Sequence, residues 1–306
     1  MNFYKMKWVC LIITGVVLIA GITGMFINGV KLDIQFRGGA ILSYSYEGDI
    51  NDNEVESIAK EILNRELSVY KTENELSNTQ NVVLNIAGNE GLEFTVQENL
   101  LKSLKEKFPE NNIEKNESRV VEPYIGRQAL IKGGIAILIS FALMLIYIWI
   151  RFRKIDSLSL GVCTIITLMH DLIIVFIAYL VMGIPINDSF IAVILTILGY
   201  SINDKIVIFD RIRENSKLLP VETPIEDLVN KSINQSLTRS LFTDGTTVVA
   251  AIAILGFATA YGITSIRNFS LPLLVGLVAG AYSSLFLCGP LWTMWRKVAE
   301  KRTKKK

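Results

Sequence analysis

Six apolar stretches punctuate the chain, at Trp8–Ile27, Ala129–Ile150, Leu158–Met182, Phe190–Ile208, Leu241–Ala260 and Leu271–Trp295. Each is long enough to cross the roughly 30 Å hydrocarbon core of a bilayer as a helix. The first follows Lys5 and Lys7 and lacks a small-residue cleavage site before the next polar stretch, so it reads as a retained anchor. Between the first and second stretches the pattern changes. Leu32–Tyr46 alternates and is rich in strand formers, and Val55, Ile58, Ala59 and Ile62 give Asn51–Glu66 helical spacing. Gln80–Ala87 reads as a strand, with a weaker one at Leu67–Lys71. Phe94–Phe108 has helical spacing at Val96, Leu100, Leu101 and Leu104, and Asn112–Val121 is again a strand. The expected fold is an α-helical polytopic membrane protein with six transmembrane helices and a small α+β domain of ferredoxin-like βαββαβ order. The expected divisions are an N-terminal span at 1–28, the α+β domain at 29–128, a five-helix region at 129–295 with a loop at 210–240, and a basic tail at 296–306.

Composition agrees with a membrane protein, since 51% of the 306 residues are apolar. Charge then orients it. Near the span ends, two basic residues precede the first span, three lie in Arg151–Asp156, five in Asp210–Ser240 and seven in the tail from Arg296. The opposite connections are nearly free of them, Gly183–Asp188 having none and Tyr261–Ser270 only Arg267. The positive-inside rule therefore predicts cytoplasmic termini and an extracytoplasmic α+β domain. Cys10, Cys163 and Cys288 fall inside apolar runs, as expected of small core side chains.

The segment before the fifth span carries a helix-start pattern at Thr223, Pro224 and Glu226. Ile225, Leu228, Val229, Ile233 and Leu237 then share one face. Such a helix can lie in the membrane interface or pack on a partner.

Ionisable groups inside the spans carry the candidate chemistry, because each needs a partner, a water-filled cavity or a transport role. His170 and Asp171 sit near the middle of the third span and suit either proton exchange or hydrogen bonding between helices. Asp204 lies one to two turns from the cytoplasmic end of the fourth span. Lys205 adjoins it, but consecutive helical residues point in different directions. Arg239, leading into the fifth span, is the better-placed cation for Asp204, the alternative being snorkelling toward headgroups. Asp244 adds an acid just inside the fifth span or at its wet end. Gly276 and Gly280 permit close helix approach. With one histidine, no phosphate-binding glycine loop and no nucleophile triad, the chain lacks the makings of an enzyme, and no cofactor or metal is expected. An ion gradient is the remaining energy source, an elementary charge crossing 100 mV being worth about 2.3 kcal/mol.

Several tracts resemble the SecF branch of the SecD/SecF family within the resistance-nodulation-division superfamily. They are Leu32-Asp-Ile-Gln-Phe-Arg-Gly-Gly-Ala, Val121-Glu-Pro-Tyr-Ile-Gly, His170-Asp171, Gly199-Tyr-Ser-Ile-Asn-Asp with Phe209-Asp-Arg-Ile-Arg-Glu, and Ser232-Ile-Asn-Gln-Ser-Leu-Thr-Arg. The resemblance implies export of proteins across the plasma membrane, driven by the proton-motive force, in a heterodimer with SecD. Its implied partners are the SecYEG channel and accessory Sec subunits, exported preproteins and membrane lipid, and not nucleic acid. Asp204 and Arg239 match the family's proton pathway, and Arg37, Gly38 and Gly39 its external motif. Two departures stand out. Lys205 occupies a position where a small residue is usual, and Asp244-Gly245 one where apolar or hydroxyl residues are expected. The rival readings are a small-molecule or lipid exporter of the same superfamily and a non-transporting assembly subunit.

Overall fold

The computed structural model describes residues 2–303 apart from 31, 34, 35, 37, 66, 75–78, 88–91, 122 and 221. Its chain divides into two compact units, Leu32–Gly134 and the remainder.

The first unit runs β1 (Gly39–Tyr46), α2 (Asp52–Leu63), β2 (Leu67–Asn74), β3 (Thr79–Ala87), α3 (Phe94–Lys107) and β4 (Glu114–Val121), after helix α1 (Lys7–Asn28) of the other unit. The four strands form one antiparallel sheet in the order β2-β3-β1-β4. β1 pairs with β3 from Gly39↔Ala87 to Tyr46↔Gln80, and with β4 across a register shift between Ser43 and Tyr44. The alternation seen in sequence directs Leu42, Tyr44, Leu84 and Ile86 to one face, where they meet Val55 and Ala59 of α2 and Leu100 and Leu104 of α3 in a single core. β1 starts at Gly39 rather than Leu32. Gly38 (φ 76°) and Gly39 (φ 148°) turn the backbone there, into conformations glycine reaches without a Cβ penalty.

Tyr44 is fully buried and its hydroxyl has no hydrogen-bond partner among the described residues. Burial disfavours the phenolate and holds the Tyr44 pKa well above its ordinary value. Because the folded value is the raised one, this contribution to stability is whole below about pH 10 and is lost as pH climbs from there toward the folded pKa. Tyr44→Phe removes both the unpaired hydroxyl and this alkaline loss. Amide exchange in β1 should show a gain of about 1 kcal/mol at neutral pH, growing above pH 10. A loss at neutral pH would mean that the hydroxyl is satisfied.

The second unit is a helix bundle. Besides α1 it holds α4 (Pro123–Arg151, from Ile135 onward), α5 (Ser157–Val181), α6 (Asp188–Leu218), α7 (Ile225–Ala260) and α8 (Thr264–Tyr282), the last continued by a π-helical segment, Ser283–Cys288, and α9 (Gly289–Thr303). Among the described residues six segments are long and apolar enough to cross a membrane: Lys7–Phe26, Gln128–Arg151, Ser157–Val181, Asp188–Leu218, Ile225–Ala260 and Thr264–Ala299. The α5, α6 and α8–α9 segments are the buried ones, whereas α1, α4 and α7 show apolar faces outward, among them Trp8, Ile12, Leu138, Leu143, Phe242 and Val249. Gly276 lets α8 close on α5 and α6, since a Cβ there would stand 2.7 Å from Val175 and Ile197. Gly280 does the same against Ser201. The three cysteines are buried and unpaired.

Most of the connection 210–240 is helical. α6 continues to Leu218, supported by ion pairs Arg213–Asp210 (3.0 Å) and Arg211–Glu214 one turn apart, and only a short turn separates it from α7. Thr223 does not cap a helix. Its N–H closes a turn onto the Pro220 carbonyl, and α7 begins at Ile225 behind Pro224 with no side-chain cap. The apolar stripe of α7 is covered by its own bundle rather than laid in an interface. Val229 and Ile233 pack with Phe209, Ile212, Cys288 and Trp292, and the helix runs unbroken into the fifth span.

Candidate ion-coupling site

The α6 helix carries two polar ladders on neighbouring faces, because residues four apart align and residues one apart diverge. Ser201 and Lys205 form one ladder, Tyr200 and Asp204 the other. The first faces α5 and the π-helical segment. Asp171 and Lys205, both with wholly buried side chains, form an ion pair at 3.2 Å. The Ser201 and Ser283 hydroxyls donate to the same Asp171 Oδ2 at 2.6 and 2.8 Å. Lys205 Nζ also donates to Ser201, to Ser283 at 3.0 Å and to Ser284 at 3.3 Å, while Ser284 Oγ donates to the Gly280 carbonyl. His170 Nδ1 lies 3.0 Å from Asp171 Oδ1. Each hydroxyl thus accepts from the ammonium and donates onward, leaving no member of the network without a partner. The π-helical turn is what aims Ser283 and Ser284 together, a local widening that recurs at functional positions in helices.

The second ladder faces α7. Tyr200 donates its hydroxyl to Asp244 Oδ1 at 2.8 Å. Asp204, one turn along α6 from Tyr200, and Asp244 are both buried, exposed by only 3% and 5%. Each keeps its Oδ2 buried without a donor among the described residues. The two ladders therefore differ in kind: the Asp171 network is closed and charge-balanced, and the Asp204 pair is open and can take a cation.

The residues singled out in the sequence are divided by this arrangement. Asp171 and His170 touch each other and reach α6 through Lys205 and Ser201, not through Asp204. Arg239 is exposed on α7 and forms no ion pair among the described residues, so in this conformation Asp204 faces an acid instead of the expected arginine. Gly38 and Gly39 lie in the other unit, and Arg37 falls outside the described residues. Lys205, Ser201, Ser283 and Ser284 are additions to the site, and Tyr200 and Asp244 gain definite partners. Only a run of small hydroxyl residues in otherwise apolar spans signals them beforehand. Among the described residues no group of three or more His, Cys, Asp or Glu is placed to hold a metal.

Comparison with known proteins bears on this site directly. Residues 99–298, which include both ladders, match the family described as protein export membrane protein SecD/SecF, C-terminal. The chain belongs to the SecD/SecF family. Among its SecD/SecF relatives, the protein translocase subunit SecF of Alicyclobacillus acidocaldarius is 32% identical over 97% of this chain and 92% of its own length. The corresponding subunit of Borreliella burgdorferi is 33% identical over 97% and 98%. A crystal structure of SecDF, a translocon-associated membrane protein from a Thermus species, superposes with a TM-score of 0.77 at 29% identity. A second, in a super-membrane-facing form, gives 0.72 and covers 99% of this chain. The chain spans about two fifths of those SecDF chains, at 39% and 40% of their length.

Proposed function

We propose that this chain works as a SecF-type subunit of a protein translocase, using the proton-motive force with a SecD partner to move proteins across the plasma membrane. The observation that carries this is the near end-to-end likeness, over 97% of the chain, to proteins named as that subunit. A SecD partner, as a heterodimer, is read from the likeness to the SecDF chains, of which this chain matches about two fifths. The exposed apolar faces of α1, α4 and α7 suit lipid and such a partner. The SecYEG channel, accessory Sec subunits and exported preproteins complete the proposed assembly. Both termini are taken as cytoplasmic from the basic residues at the span ends. The unit of four strands, with its β2-β3-β1-β4 order, is read as a ferredoxin-like extracytoplasmic domain spanning about 29–128 between membrane segments 1–28 and 129–295.

Asp204 is the proposed carrier, with Arg239 as the cation that meets it in another conformation and His170 and Asp171 as the neighbouring buried pair. In vesicles holding this chain, SecD and the channel, export of a secreted reporter should rise when a proton gradient is applied. No response to the gradient, or no need for this chain, overturns the reading.

Arg37, Gly38 and Gly39 are proposed as the hinge motif of the external domain. An L side chain held in left-handed backbone costs about 1–2 kcal/mol, so Gly38→Ala with Gly39→Ala should weaken β1 protection in hydrogen exchange and lower export. Unchanged protection and export would rule out the hinge.

A further inference from the structure

Asp204 and Asp244 present a problem in hydrogen-bond accounting. Two ionised carboxylates are acceptors only and cannot bond each other, yet Tyr200, one turn before Asp204 on α6, holds Asp244 to the same face of that helix, and each acid has an Oδ2 shut away from water with no donor among the described residues. An unmet buried acceptor costs about 1–3 kcal/mol, and two like charges in apolar surroundings add to that. One proton resolves both costs. It makes one carboxyl a donor to the other and leaves a single charge.

We infer that Asp204 and Asp244 together form a two-carboxylate site for one shared proton, with Tyr200 as its positioning residue. This rests on the proposed role of Asp204 in coupling and extends it to Asp244, so that the carrier is a pair of acids joining α6 to α7. The surrounding groups leave the pair without a counter-ion. On α6, Lys205 adjoins Asp204 in sequence but is bonded to Asp171 of α5, which also holds His170. On α7, Arg239 is exposed. On α8, which packs against both helices, Arg267 is exposed and Tyr282 donates to the Cys10 carbonyl of α1. Tyr200 uses its proton on Asp244 Oδ1, which leaves Asp204 Oδ2 and Asp244 Oδ2 without a donor among the described residues. A proton needs only two of these oxygens, whereas hard metal cations take about six or more.

A shared proton also explains how the site could report on helix position. It bonds α6 to α7 while present, and its departure leaves two facing charges that repel, so protonation state and helix separation become linked.

The test is an infrared pH titration of the full chain with SecD in lipid vesicles, following the protonated-carboxyl band. A band at neutral pH that is lost in both Asp204→Asn and Asp244→Asn, and whose midpoint moves in Tyr200→Phe, is the expected result. Retention of the band in Asp244→Asn overturns the pair, as does its absence from the native protein or its loss when sodium replaces potassium at constant pH. Should Asp244→Asn fail to assemble with SecD, Asp244→Glu decides, since it keeps the acid and must keep the band. Gradient-driven export separates the two levels of the argument. Normal export by Asp244→Asn with loss in Asp204→Asn sinks the shared site alone, and normal export by Asp204→Asn sinks the coupling role beneath it.

Discussion

Replacing Lys205 by methionine while Asp171 remains is expected to destabilise the helix bundle by about 3–5 kcal/mol, the cost of leaving one partner of a buried ion pair alone. The ammonium has four oxygen partners, from Asp171, Ser201, Ser283 and Ser284, drawn from α5, α6 and the π-helical segment. Its removal leaves a carboxylate with no exposed surface and with His170 as its nearest titratable neighbour. Asp171→Asn alone should be damaging for the mirror reason, an unpaired ammonium. The double variant Asp171→Asn with Lys205→Met carries no buried charge and should recover much of the stability of either single variant. Unfolding in a graded denaturing detergent, arranged as a double-mutant cycle, reads this as a coupling energy. If the two single effects simply add, the ion pair does not bind the three elements together.

The bundle handles its buried acids in two ways, and the contrast locates function. At Asp171 the Lys205 ammonium and two hydroxyls, of Ser201 and Ser283, gather on one carboxylate oxygen, and His170 lies against the other. At Asp204 no fixed cation is bonded to it and an acid stands opposite. An ionisable group in a span is tolerated when paired or when its charge is transient, and these two sites exemplify one case each. Lys205 is therefore not a competitor for Asp204. Its ladder faces α5, whereas Tyr200 on the neighbouring face of α6 bonds Asp244 of α7.

The spans and the β-α-β-β-α-β element order were legible in the sequence because periodicity and apolar length are local properties. What escaped was set by packing. The amphipathic stripe of α7 reads as surface-seeking, since sequence cannot reveal that Phe209, Ile212 and Trp292 arrive to cover Val229 and Ile233. Spacing alone correctly argues that Lys205 points away from Asp204, but its true partner lies 34 positions earlier on another helix. Arg239 looked the natural mate for Asp204 because charge complementarity is what a single sequence offers. The pairing of Asp204 with Asp244, two like groups, goes against that expectation and follows only once α6 and α7 are side by side. Ser283 and Ser284 carried no signal of their own until the π-helical turn aimed them at one ammonium.

Asp204→Asn is expected to abolish gradient-stimulated export while leaving the chain inserted and bound to SecD. The amide is nearly isosteric with the acid and can donate to Asp244 through its NH₂, so the α6–α7 contact survives in a form resembling the protonated state. What it cannot do is release a proton. A carrier fixed in one state gives the gradient nothing to act on, because a two-state element shifts only if the driving species differs between its states. Export of a reporter into vesicles should therefore fall to the level seen without a gradient. Asp204→Glu, which restores an exchangeable proton on a longer arm, should recover part of the response. Dissociation of Asp204→Asn from SecD would point to a packing role, and an undiminished response would remove Asp204 from the coupling path altogether. Asp244→Asn sharpens the outcome. If the carrier is the pair, it should lose the gradient response as Asp204→Asn does, and the double variant should be no worse than either single one, since two residues acting as one unit cannot be disabled twice.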